Sequence, residues 1–194
     1  RADNVVAYQS PKMGGFQALA AYVTEDGATG GGDAFSINGI YKAGPLMVGA
    51  AYETHSDKLN QALGSNTTDV ESSAVRLMGS YKFGEAKVVG FYQSTTDEGG
   101  VAGADVDTWG LGASYKVSPA GTVKAQYYKN DKTVEQSLFA LGYDHKLGKG
   151  TDVYAQYALT DGSLGIGGSG HGESVSADGN GDTDAFSVGI RHKF

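Results

Sequence analysis

No cysteine occurs among the 194 residues, and only three are proline. Without thiols the chain can build neither a disulfide framework nor a thiolate metal site. No run of about 18 apolar residues is present, which excludes a transmembrane helix. Basic residues are also in deficit: 15 Lys and Arg stand against 22 Asp and Glu, a formal net charge of −7. That balance argues against nucleic acid as a partner. No secretory leader pattern is seen, and a chain beginning at Arg1 rather than methionine is read as a processed protein or as a portion of a longer one.

Glycine is abundant at 31 residues, and tyrosine reaches 12. So much glycine works against helices, because each one surrenders more backbone entropy than alanine does. Tyrosine, valine and threonine instead suit a pleated, half-buried surface. The expected class is all-β. Eleven strand-like runs are read: Asn4–Gln9, Phe16–Thr24, Ala34–Lys42, Leu46–His55, Ser72–Lys82, Ala86–Ser94, Asp107–Val117, Thr122–Lys129, Ser137–Leu147, Thr151–Thr160 and Thr183–Phe194. Most are longer than the usual globular strand and long enough to cross a membrane at a tilt.

The connections alternate in length. Residues 10–15, 43–45, 83–85, 118–121 and 148–150 form short turns; 25–33, 56–71, 95–106, the brief 130–136 and the glycine-rich 161–182 are polar loops. A transmembrane, antiparallel up-and-down β-barrel has tight turns on one side and longer loops on the other. Within the runs, apolar and aromatic residues recur at every second position, as in Phe35, Ile37, Gly39, Tyr41 and in Trp109, Leu111, Ala113, Tyr115. Aromatic residues near strand ends, with small or aliphatic ones between, fit a lipid-facing band. The run "AKVVGFYQS" resolves onto neither face.

Out of phase with the apolar positions lie Lys42, Arg76, Lys82, Lys116, Lys124, Lys146, Arg191 and Lys193, eight basic residues, against the three acids Glu53, Asp144 and Asp152. Most remaining acids fall in the long loops. A basic wall beneath acidic loops fits a water-filled conduit, with Lys42, Arg76, Lys82, Lys116, Lys124 and Arg191 as pore-lining candidates.

No catalytic constellation rises above background. "GIGGSG" (165–170) matches a dinucleotide fingerprint only literally, since neither a buried strand precedes it nor a helix follows. Asp178, Asn180, Asp182 and Asp184 alternate like calcium-loop ligands, but Thr183 replaces the usual glycine and Gly189 the closing glutamate. The four histidines show no metal-ligand spacing. No metal and no cofactor is expected, and no enzyme activity.

"NVVAYQSPKMGGF" (4–16), "YKFGEAKVVGFY" (81–92) and the closing "VGIRHKF" (188–194) resemble Gram-negative trimeric general porins, in particular the β-proteobacterial type of Neisseria, Bordetella and Burkholderia. The resemblance runs the whole length. It implies a passive outer-membrane diffusion channel for small hydrophilic solutes and ions, trimeric when full length, surrounded by lipid. It also implies that the last strand, with Phe186, Val188, Ile190 and the terminal Phe194, is the signal read by the barrel-assembly machinery. Family barrels have about 16 strands. By that alignment residues 1–194 form a single barrel domain, its C-terminal portion, without the first five strands and the inward-folded constriction loop. The wall cations lead to an expected preference for anions. A ligand-binding β-barrel without channel activity, soluble or membrane-anchored, is the alternative, as is an enzyme built on a barrel. The first would expose charged rather than aromatic residues outside, and the second lacks a Ser/His/Asp set.

Overall fold

The computed structural model describes residues 4–24, 32–62, 69–132, 135–161 and 182–193. Among them are eleven strands: β1 (Val5–Gln9), β2 (Phe16–Val23), β3 (Ala34–Ala43), β4 (Leu46–His55), β5 (Ser72–Phe83), β6 (Ala86–Thr96), β7 (Val106–Lys116), β8 (Gly121–Asn130), β9 (Gln136–Gly148), β10 (Thr151–Asp161) and β11 (Thr183–His192). Strand order follows chain order. This is the up-and-down antiparallel arrangement expected from the alternating connections. Each connection returns the chain next to the strand it has just left, so no crossover is needed.

Two short helical pieces sit in the longer connections. Helix α1 covers Asp57–Ala62, and a 3-10 turn covers Glu98–Gly100. The sequence pattern alone reads both stretches as plain polar loop. A start signal for α1 is nevertheless present: the Ser56 hydroxyl accepts from the Leu59 amide at 3.4 Å, and Asp57 occupies the first turn.

The chain divides into two compact units. The first comprises Arg1–Ser80 with Phe91–Asp107, the second Tyr81–Gly90 with Thr108–Phe194. In the first unit, β2 pairs with β3 through Phe16↔Tyr41, Ala20↔Ile37 and Tyr22↔Phe35, and β3 pairs with β4 through Ile37↔Tyr52 and Tyr41↔Val48. Apolar residues therefore meet apolar residues on one face. Ser36↔Glu53, Asn38↔Ala51 and Lys42↔Met47 share the other. The second unit repeats the pattern. Leu111↔Tyr127 and Tyr115↔Val123 lie on one face of β7 and β8, and Val153↔Ile190 and Tyr157↔Phe186 on one face of β10 and β11.

The apolar face is not covered by protein. Val106 is the only buried hydrophobic residue among those described, whereas Tyr41, Tyr52, Tyr81, Trp109 and Tyr157 are all exposed, as are Leu111, Val188 and Ile190. A water-soluble barrel would turn these side chains into a packed core. Here each apolar stripe instead carries aromatic residues at or near its ends. Phe16 and Tyr22, Phe35 and Tyr41, and Trp109 and Tyr115 are each six positions apart, about 20 Å along a strand. That spacing suits an apolar band bordered by two aromatic girdles. The backbone hydrogen bonds of such strands run sideways to their neighbours, so their polar groups are satisfied where no water reaches.

Candidate functional site

The candidate side chains stand on the strand face opposite the apolar one. Alternation places them there, and cross-strand register decides which of them meet.

In the first unit this face carries Lys42 on β3, Glu53 and His55 on β4, and Arg76 on β5. Glu53 Oε1 and His55 Nε2 are 2.8 Å apart. Arg76 reaches across to β6, where its Nε donates to Gln93 Oε1 at 2.8 Å and its Nη2 donates to the same oxygen. The guanidinium carbon lies 5.8 Å from the centre of the Phe91 ring. Gln93 in turn donates its amide to Thr95 Oγ1 at 3.0 Å, which fixes the amide with its oxygen toward Arg76. Outside the strands, at the end of the loop preceding β3, the Asp33 carboxylate accepts the Tyr22 hydroxyl at 3.0 Å. That bond, more than any other influence, holds the Asp33 carboxyl below the usual carboxylate range.

In the second unit four adjacent strands contribute to one charged cluster. Lys124 on β8 contacts Asp144 on β9, and Arg191 on β11 contacts Asp152 on β10. Arg191 also lies 3.7 Å from Asp144, joining the two pairs. The register is the cause: Thr122↔Asp144, Tyr154↔Asp144 and Asp152↔Arg191 bring these positions within one or two residues of each other. Lys124, Asp144 and Arg191 line a groove of about 880 Å³ together with Gln126, Tyr154, Gln156 and Lys87. Lys116 pairs with Glu85 of the neighbouring short turn at 3.4 Å.

Each of the six sequence-nominated cations lies on the face opposite the apolar one. Their partners are not legible from the sequence. Lys124, Arg191 and Lys116 have carboxylates beside them, while Lys42, Arg76 and Lys82 make no ion pair among the described residues. A seventh cation, Lys87 on β6, escapes the sequence pattern. On this strand Val89 joins the Lys87 face, lining the groove, and Phe91 joins the Gln93 face beneath Arg76. These two apolar residues among polar ones make the run unreadable by period. The in-phase Lys87, Gln93 and Thr95 are the available signal. Phe186, Val188 and Ile190 stand exposed on the apolar face of β11. Phe194 lies outside the described residues, as do "GIGGSG" and the first two members of the calcium-like set, Asp178 and Asn180. Among the described residues no group of three or more His, Asp and Glu is placed to hold a metal ion.

A model of the Gram-negative porin family matches residues 1–165. The chain belongs to the Gram-negative porin family. Outer membrane porin protein 32 of Delftia acidovorans is 33% identical over 215 residues, an alignment covering 100% of this chain and 57% of that protein. An outer membrane porin protein of Bordetella pertussis is 26% identical, covering 100% of this chain and 58% of the relative. The anion-selective porin of Comamonas acidovorans superposes with a TM-score of 0.81 at 27% identity, over 100% of this chain and 60% of that one. The chain thus spans a little over half the length of the curated relatives it matches. The family places it in the outer membrane of a Gram-negative cell, as a β-barrel protein of the β-proteobacterial porin type.

Proposed function

We propose that these strands form part of the wall of a diffusion channel for small hydrophilic solutes and ions, with a preference for anions and no chemical step. The observation that carries the reading is the separation of the two faces. Aromatic and aliphatic residues dominate one, with charges such as Lys129 and Asp184 only near its strand ends, and the other carries Lys42, Arg76, Lys82, Lys87, Lys116, Lys124, Lys146 and Arg191 against Glu53, Asp144 and Asp152. Cations in a conduit with low-dielectric walls raise the local anion concentration. The likeness to a porin described as anion-selective supports the same direction. Lys42, Arg76, Lys82, Lys116, Lys124 and Arg191 are the pore-lining residues of this reading.

The channel belongs to a barrel larger than eleven strands, which the shared length with relatives supports. In this reading residues 1–194 are one barrel domain and its C-terminal portion, and the assembled protein is a homotrimer. Phe186, Val188 and Ile190, with Phe194, form the strand that the barrel-assembly machinery engages. The test is electrical. The protein purified from the outer membrane and reconstituted in planar bilayers is expected to give stepwise conductance and, across a potassium chloride gradient, a reversal potential on the chloride side. Absence of conductance steps refutes the channel; a reversal potential on the potassium side refutes the anion preference.

A further inference from the structure

We propose that Arg76, backed by Gln93 and Phe91, is a contact site for small oxyanions, inorganic phosphate being the simplest. The proposal deepens the anion-preferring channel and rests on it. A guanidinium has five N–H donors in a planar fork that matches two oxygens of a phosphate or carboxylate. Two of Arg76's donors are spent on Gln93 Oε1, a neutral acceptor. That bond and the Phe91 ring orient the fork without cancelling its charge. Three N–H groups remain for a ligand, and Arg76 lines a concavity of about 550 Å³ together with Ser36 and Asn38. Glu53 lines it as well, but its Oε1 is engaged by His55 Nε2.

The second unit supplies the contrast. Lys124 and Arg191 already hold tethered carboxylates, and an incoming anion would have to displace a competitor present at high effective concentration. Removing Lys124 therefore alters the field felt by ions but removes no vacant contact. Arg76 offers both a field and a contact. One unit charge seen through water at roughly 7 Å biases the concentration of a monovalent ion only about threefold, so it is the contact that distinguishes oxyanions from chloride.

The experiment uses the protein purified from the outer membrane, reconstituted in planar bilayers, with chloride current recorded while inorganic phosphate is added. Wild-type current is expected to fall saturably. Arg76→Gln should raise the half-inhibiting phosphate concentration at least about tenfold, the loss of charge-assisted hydrogen bonds. Arg76→Lys keeps the charge but not the fork; it should weaken inhibition several-fold while moving the reversal potential less than Arg76→Gln does. It also carries the test should Arg76→Gln fail to assemble. In the double variant Lys124→Gln with Asp144→Asn, which leaves net charge unchanged, inhibition should persist. Unaltered inhibition in both Arg76 variants, or equal loss in the double variant, overturns the proposal. The wild-type reversal potential judges the channel's anion preference separately: a potassium-side value defeats that preference, while phosphate inhibition governed by Arg76 still upholds the site. A protein that conducts nothing overturns both.

Discussion

Gly189 shows why this chain is so rich in glycine. It lies directly across from Tyr154, and a Cβ built on it would come within 2.5 Å of the tyrosine hydroxyl and 2.6 Å of the ring carbon bearing it. Gly39 beside Phe16 and Gly121 beside Tyr143 are crowded by rings as well, from diagonal rather than directly opposite positions. Gly189→Ala should push Tyr154 out of place and destabilise the protein by about 1–3 kcal/mol, the usual cost of overpacking. Urea unfolding in lipid vesicles checks this, and Gly189→Ala combined with Tyr154→Leu should recover part of the loss. Gly84 is needed for another reason. Its φ is 58° with nothing within 4 Å of the added carbon, so backbone conformation alone demands glycine there. Asp33 gives a pH-dependent residue. Its carboxyl is held below the ordinary range by the Tyr22 hydroxyl, so its stabilising contribution is present above the unfolded-state value, about pH 4, and is lost as pH falls through the depressed folded-state value. Acid titration of the unfolding midpoint should therefore show a decline in wild type that is shallower in Tyr22→Phe.

At the level of the strand, period-two alternation is legible wherever one face is wholly apolar. In β7, Trp109, Leu111, Ala113 and Tyr115 announce the apolar side with no help from neighbours. The alternation fails on β6, because Val89 and Phe91 are apolar residues on the polar face and imitate the apolar side. Two expectations follow, for β11 and for the four-strand cluster. Val188 is exposed between Phe186 and Ile190, so Val188→Lys should cost about 2–4 kcal/mol if it lies near the bilayer midplane, less toward the rim; folding yield into vesicles measures it. Asp144 touches both Lys124 and Arg191. Asp144→Asn should cost at most about 1 kcal/mol, because the cations are half-exposed to water and easily rehydrated. The loss should shrink in molar salt.

For the molecule as a whole, the consequence of pairing is a selectivity prediction. Neutralising Lys124 and Arg191 together leaves Asp144 and Asp152 without their counterions. The reversal potential of the reconstituted channel should then move toward the potassium side, and more strongly than for Arg76→Gln, which removes one charge rather than two. A value unchanged by the double substitution would place the selectivity of the proposed channel elsewhere in its wall.

The sequence by itself determined the class, the strand count, the alternation of turns with loops and the side of each strand on which Lys42, Arg76, Lys124 and Arg191 stand. All of these are local properties: side-chain direction has period two, and a turn needs only its own residues. Tertiary structure alone decided which charges are spent. Asp144 is 20 residues from Lys124 and 47 from Arg191, and nothing in the sequence between them fixes the register that sets them side by side. A one-residue slip would turn each of these side chains to the apolar face. Likewise, that Arg76 meets a neutral glutamine and an aromatic ring rather than a carboxylate follows only from where β6 lies beside β5. Charge content is a sum over residues and can be counted; charge compensation is a matter of distance, which the folded strands supply.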